Sequence, residues 1–191
     1  MAENEINTEK VLIIGGSAGS LEVLLDILPR LDLRSSFPIV IVLHRRSGED
    51  TMLEDLIAYK STIPFKEIED KTELEPGYLY VAPSDYHLLF ERKRLISLDT
   101  SEKVNYSRPS IDVAFESAAD IYGENLTGVL LSGANADGTE GLKAIKNAGG
   151  ITIVQTPETA EVAFMPQNAI ENISPDLILN TAAILEYINS I

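Results

Sequence analysis

The 191-residue chain contains no cysteine. Disulfides, a thiol nucleophile and cysteine-bound metal are thereby excluded, and the composition suits the reducing cytosol. Histidine is nearly as scarce: His44 and His87 are the only two, and they stand far apart in the chain. That argues against a histidine-rich metal site, and no metal is expected. Positive charge is also in short supply, with 15 lysines and arginines against 30 aspartates and glutamates. A net charge of −15 favours solubility and argues against broad electrostatic binding of nucleic acid. No apolar run is longer than a strand, so no membrane insertion is expected. Residues 1–10 are polar and partly acidic, and they lack the basic start and apolar core of a signal peptide. A cytoplasmic location is the resulting expectation.

Apolar material is plentiful. Hydrophobic residues make up 45% of the chain, which excludes a disordered polypeptide. The length suits one domain spanning 1–191, with 1–10 as a polar extension. Buried strands are predicted at Val11–Ile14, Pro38–Leu43 and Leu126–Leu131, and further strands at Pro64–Ile68, Gly77–Val81 and Ile151–Val154, with a short one at Leu177–Leu179. Helical spacing links Leu21, Leu24, Leu25 and Leu28, then Met52, Leu53, Leu56 and Ile57. It returns after Pro109-Ser110 in Ile111, Ala114, Phe115 and Ala118, and in Gly138–Ala148, Ala169–Asn172 and Ala182–Ile188. His87–Phe90 and Leu95–Leu98 flank Glu91-Arg-Lys-Arg94 and read as a hairpin. The pattern predicts an α/β fold: a doubly wound, mostly parallel β-sheet with helices on both faces and a small antiparallel hairpin.

The segment Val11-Leu-Ile-Ile-Gly-Gly-Ser-Ala-Gly-Ser20 carries G-x-S-x-G at a strand-to-helix turn. It fits a nucleophilic serine, a glycine-rich phosphate cradle or a plain helix cap. In an open parallel sheet, ligands bind beyond the carboxyl ends of the strands. Ser17 follows the first strand, His44 the second, and Asp137 comes just after Thr127–Leu131. A serine hydroxyl needs a base, histidine suits that task, and a carboxylate orients the imidazole. The Ala18 amide is a natural oxyanion donor. Plainer readings exist: a cap for Ser17, a satisfied strand-end histidine for His44, and an N-cap of the next helix for Asp137. His87, in Pro83-Ser-Asp-Tyr-His87, is read as a site-lining residue, because Asp85 is too close in sequence to orient it toward Ser17.

The order Ser, His, Asp differs from the order of an α/β-hydrolase. The cradle lacks the third glycine of G-x-G-x-x-G and a Walker lysine, and His44-Arg45 stands where a ribose-binding acid would. No cofactor is expected.

Read together, the motifs resemble the catalytic domain of the chemotaxis protein-glutamate methylesterases, the CheB family, from about Val11 to Ile173. The matching pieces are Ile14-Gly-Gly-Ser-Ala-Gly19, Leu43-His44, Glu75-Pro-Gly-Tyr-Leu-Tyr-Val-Ala-Pro83, Asp85-Tyr-His87, Arg108-Pro-Ser-Ile-Asp-Val113, Thr127-Gly-Val-Leu-Leu-Ser-Gly133, Asp137-Gly138 and Phe164-Met-Pro166. The resemblance implies a Ser17–His44–Asp137 triad. It also implies hydrolysis of glutamate γ-methyl esters on chemoreceptor helices, with glutamine deamidation as a second activity and a role in adaptation and the chemotaxis phosphorelay. Ala134, Arg45, His87 and Met165 join Ala18 as expected oxyanion or substrate-binding positions.

Three departures from the family stand out. Ala134 replaces the usual methionine, Asn135-Ala136 replaces Gly-Asn, and His44-Arg45-Arg46 replaces His-Met-Pro, giving a more basic mouth. Full-length members carry a receiver domain; with about ten residues before its first strand this chain is expected to lack one, and so to act unregulated, to answer to a separate partner or to be an excised domain. The expected partners are a methylated receptor and, for control, a separate response regulator or kinase. The alternative is a signalling or scaffold module of the same fold with little or no activity.

Overall fold

The computed structural model describes residues 10–32, 36–48, 51–92 and 94–191. The polar extension, apart from Lys10, lies outside the described residues, as does Lys93 of the predicted hairpin turn. In chain order the elements are β1 (Val11–Gly16), α1 (Ser20–Ile27), β2 (Ile39–Leu43), α2 (Met52–Lys60), β3 (Phe65–Lys66), β4 (Thr72–Glu73), β5 (Leu79–Val81), β6 (His87–Arg92) and β7 (Leu95–Asp99). They continue as α3 (Ile111–Tyr122), β8 (Leu126–Leu130), α4 (Thr139–Asn147), β9 (Ile151–Gln155), α5 (Phe164–Asn172), β10 (Leu177–Leu179) and α6 (Thr181–Ser190).

Seven strands form one parallel sheet in the order β10-β9-β8-β1-β2-β5-β3. The central strand β1 is buried along its whole length, as its uninterrupted apolar run requires. Its side chains alternate between two cores. Leu12 and Ile14 pack with Val23, Leu24 and Ile27 of α1, Ile57 of α2 and Ile184 of α6. Val11 and Ile13 pack on the other face with Phe115 of α3, Leu142 of α4, Ala169 of α5 and Leu88 of β6. The doubly wound expectation holds. The chain winds outward from β1 in both directions, so the switch point lies between β1 and β8; in open sheets of this kind the binding crevice lies there, beyond the strands' carboxyl ends.

The structure alters several details. The predicted hairpin is part of a three-stranded sheet, β4-β7-β6, because Thr72–Glu73 adds to the outer edge of β7. Two residues are too few to show a periodicity. Helix α5 begins at Phe164, five residues before the predicted start at Ala169. Pro166 sits in its first turn, where a missing N–H removes no helical bond. Strand β5 starts at Leu79 rather than Gly77, whose φ of 79° leaves the extended region. Among the described residues no helix is long and apolar enough to cross a membrane.

Candidate active site

Ser17 and His44 are the first residues beyond two neighbouring parallel strands. Gly16 of β1 pairs with Leu43 of β2, and the His44 amide donates to the Gly16 carbonyl at 3.1 Å. The Ser17 amide donates to the Ser132 carbonyl at 2.9 Å, which ties the turn to the end of β8. Gly19 turns the chain into α1 with φ 81°, and a Cβ there would stand 2.6 Å from Cβ of Glu161. The left-handed residue of this turn is therefore the glycine and not the serine. Helix α1 has no side-chain cap. The hydroxyl that bonds locally is that of Ser20, which donates to the Ser17 carbonyl at 2.5 Å. The cap reading of Ser17 is thus not what the structure shows. Its side chain stands half-buried at the crevice.

His44 Nε2 lies 2.6 Å from Oδ2 of Asp137. Asp137 is fully buried, yet it does not cap α4, the helix that follows it. Its carboxylate sits instead at the start of α3. Oδ2 also accepts from the Ile111 amide at 2.6 Å. Oδ1 accepts from the Asp112 amide at 3.0 Å, the Ser110 hydroxyl at 2.9 Å and the Asn105 side-chain amide at 2.9 Å. Burial opposes ionisation of this group. The hydrogen bonds from His44, Asp112, Asn105 and Ile111 outweigh it and hold the pKa down at about 2. The N-terminal dipole of α3 acts in the same direction.

Asp112 does the reverse. It belongs to the first turn of α3, but its Oδ1 accepts from the amides of Gly138 and Gly141 at the start of α4, at 2.8 and 2.7 Å. Burial, with the nearby charge of Asp137, pushes its pKa up to about 6. Asn105, Ser110 and Asp112 escaped the sequence reading as members of this centre. Nothing in the local pattern sets the acid at Asp112 apart, although it lies inside the Arg108–Val113 motif.

Across the crevice, Gly133 binds at both of its backbone groups. Its amide donates to Val162 at 3.1 Å, and its carbonyl accepts from Met165 at 2.9 Å. A Cβ on Gly133 would stand 2.5 Å from Cε of Met165 and 3.0 Å from Cβ of Ser17. Ala18 and Ala134 lie exposed on the rim, and no hydrogen bond among the described residues engages either amide. The Asn135 side chain accepts from the Asp137 amide at 3.1 Å, an Asx turn that shapes the loop leading to Asp137.

The family model for CheB methylesterase matches residues 12–188. The chain belongs to the CheB methylesterase family. A Leptospira interrogans protein, provisionally named protein-glutamate methylesterase/protein-glutamine glutaminase, is 45% identical over 177 residues, covering 93% of this chain and 92% of the relative. The Thermotoga maritima protein-glutamate methylesterase/protein-glutamine glutaminase is 36% identical over 173 residues, 89% of this chain but only 50% of that protein. The crystal structure of the Thermotoga maritima CheB methylesterase catalytic domain superposes with a TM-score of 0.89 at 35% identity, covering 95% of this chain and 98% of that one. The chain is a hydrolase of the methylesterase type.

Within this CheB fold, three of the expected substrate-binding residues are engaged by contacts within the protein. His87 is buried rather than site-lining: Nε2 meets the Glu102 carbonyl at 2.9 Å, and Nδ1 accepts from the Ser110 amide at 3.2 Å. It stands behind Ser110, out of reach of the crevice. Met165 is also fully buried, beneath Gly133. Arg45 forms a two-pronged ion pair with Glu54 of α2, its Nη2 lying 3.1 Å from Oε2, and both side chains are largely buried. Its charge is neutralised locally, so the mouth is less basic than the sequence suggests.

Proposed function

We propose that the chain hydrolyses glutamate γ-methyl esters on methylated chemoreceptor or receptor-like helices, with Ser17 as nucleophile, His44 as base and Asp137 as its orienting carboxylate. The observation that carries this reading is the buried Asp137–His44 pair beside Ser17, at the switch point of a CheB-family sheet. Ser17 Oγ attacks the ester carbonyl while His44 takes its proton. With Nε2 engaged by Asp137, Nδ1 is the nitrogen left for the serine. The ionised Asp137 stabilises the imidazolium. The Ala18 and Ala134 amides stabilise the oxyanion. His44 then protonates the departing methanol, and water, activated by the same histidine, resolves the acyl-enzyme. A glutamine side chain fits the same steps with ammonia as the leaving group. Ala134 supplies a backbone amide as a methionine would, so its side-chain change leaves the oxyanion donor in place. The receptor substrate points to the cytoplasm as the working compartment.

Methanol release from a methylated receptor tests the assignment. Ser17→Ala is expected to lower the rate by several orders of magnitude. A serine-directed phosphonate should label the wild type and leave Ser17→Ala unlabelled. Equal methanol release by both proteins overturns the assignment, and an unreactive wild type favours the scaffold alternative.

A further inference from the structure

Asn105 makes contacts that the proposed reaction leaves unexplained. It lies in a two-residue turn in which Val104 and Ser107 exchange backbone hydrogen bonds at 3.2 and 3.0 Å. Both turn residues are left-handed, with φ 51° at Asn105 and 64° at Tyr106. This is the pattern of a type I′ turn. Tyr106 projects outward, 97% exposed. Asn105 also sits at the surface, but its side-chain nitrogen reaches inward to two carboxylates. It lies 2.9 Å from Oδ1 of Asp137 and 2.8 Å from Oδ2 of Asp112. A primary amide has two N–H donors, one for each acid. Among the hydrogen bonds described, no other side chain joins the two.

Two carboxylates that close, both buried, favour sharing a proton over ionising together. Donors from the protein decide the outcome. Asp112 already receives the Gly138 and Gly141 amides, and Asp137 receives the start of α3. Asn105 supplies the donor that lies between them. The other charged groups facing the pair are His44 from the end of β2 and Glu116 from α3, which itself faces Glu140 of α4. His87 stands behind, on the Ser110 amide.

We propose that Asn105 is a positioning residue that bridges Asp137 and Asp112, keeping the pair from sharing a proton at neutral pH and holding Oδ2 of Asp137 against His44. The inference rests on the triad reading above, because its effect on the reaction is transmitted through Asp137 and His44. Glycine is the informative replacement, since it adopts φ 51° without strain and removes only the side chain.

The experiment is the pH profile of methanol release for wild type, Asn105→Gly, Asn105→Asp and Ser17→Ala. For Asn105→Gly, kcat should fall about 10- to 100-fold, the scale of losing a supporting hydrogen bond behind a functional group. KM should stay within about threefold, because the residue makes no contact assigned to substrate. The acid limb of kcat should move to higher pH, as the carboxylate pair now holds a proton near neutrality. Asn105→Asp keeps the side-chain shape and adds a third acid, so it should move the limb further. A loss of kcat with an unmoved limb means that Asn105 only shapes the turn, and it overturns the inference. Wild-type kcat and profile in Asn105→Gly overturn it as well. An inactive Ser17→Ala beside an unaltered Asn105→Gly sinks the bridge alone. A fully active Ser17→Ala sinks the triad and the bridge together.

Discussion

Asp137 and Asp112 exchange helix ends: each carboxylate binds the first amides of the helix that the other precedes or begins. Asp137, just before α4, accepts from Ile111 and Asp112 of α3. Asp112, in α3, accepts from Gly138 and Gly141 at α4. The exchange locks the two helices to each other and fixes the Asp137 oxygen that meets His44.

The two acids should titrate far apart. A carboxyl-resolved NMR titration is expected to show Asp112 changing near pH 6 and Asp137 near pH 2. The folded pKa of Asp112 is raised above its ordinary 3.8, so its contribution to stability is present below pH 3.8 and lost as pH rises through about 6. That of Asp137 is lowered, so its contribution is present above pH 3.8 and lost as pH falls toward 2. Both acids changing near pH 4 would contradict the network.

Asp137→Asn should impair the reaction far more than the fold. It removes the anion that stabilises the imidazolium and favours the wrong tautomer. A kcat loss of about 10³- to 10⁴-fold with little change in KM is expected, by analogy with serine triads. Steady-state methanol release at several pH values measures it. A loss under tenfold would remove Asp137 from the mechanism.

Gly133→Ala should damage the crevice, because the added methyl meets Met165 on one side and Ser17 on the other. The coupling can be read from a double-mutant cycle with Met165→Ala. The pair should recover part of the kcat lost in Gly133→Ala, since the shortened side chain vacates the space. Strictly additive losses would show that the methyl acts on Ser17 alone.

Tyr106→Gly should stabilise the protein. A tyrosine at φ 64° is strained, its ring is almost wholly exposed, and Asn-Gly is the preferred pair for this turn. Relief of the left-handed penalty, about 1–2 kcal/mol, exceeds the added chain entropy of glycine, about 0.5–1 kcal/mol, so the net gain should be about 0.5–1 kcal/mol, seen as a raised midpoint in thermal or urea unfolding. A lower midpoint would mean that the ring contributes packing which its exposure hides.

Much of the candidate site was legible in the chain. Ser17, His44 and Asp137 each follow an apolar run that reads as a buried strand, and residues beyond parallel strands converge on one rim. The fold class was legible for the same reason, as strand and helix periods alternate. His87 was not legible as buried, because its partners Glu102 and Ser110 are brought to it by the small sheet and by α3. Nor was the neutralisation of Arg45, which depends on α2 folding back toward the end of β2.

By itself the sequence determined which residue types stand at which strand ends, since hydrophobic period and turn residues are local properties. It also excluded thiol chemistry and the dinucleotide fingerprint by what it lacks. Only the tertiary structure decided which helix Asp137 serves, which acid is held ionised and which resists ionisation, and that Asn105 touches both. Those outcomes depend on hydrogen bonds between residues as much as 93 positions apart, inside a space closed off by two packed helices. A period of two or of 3.6 residues carries no information about which distant amide a carboxylate will meet.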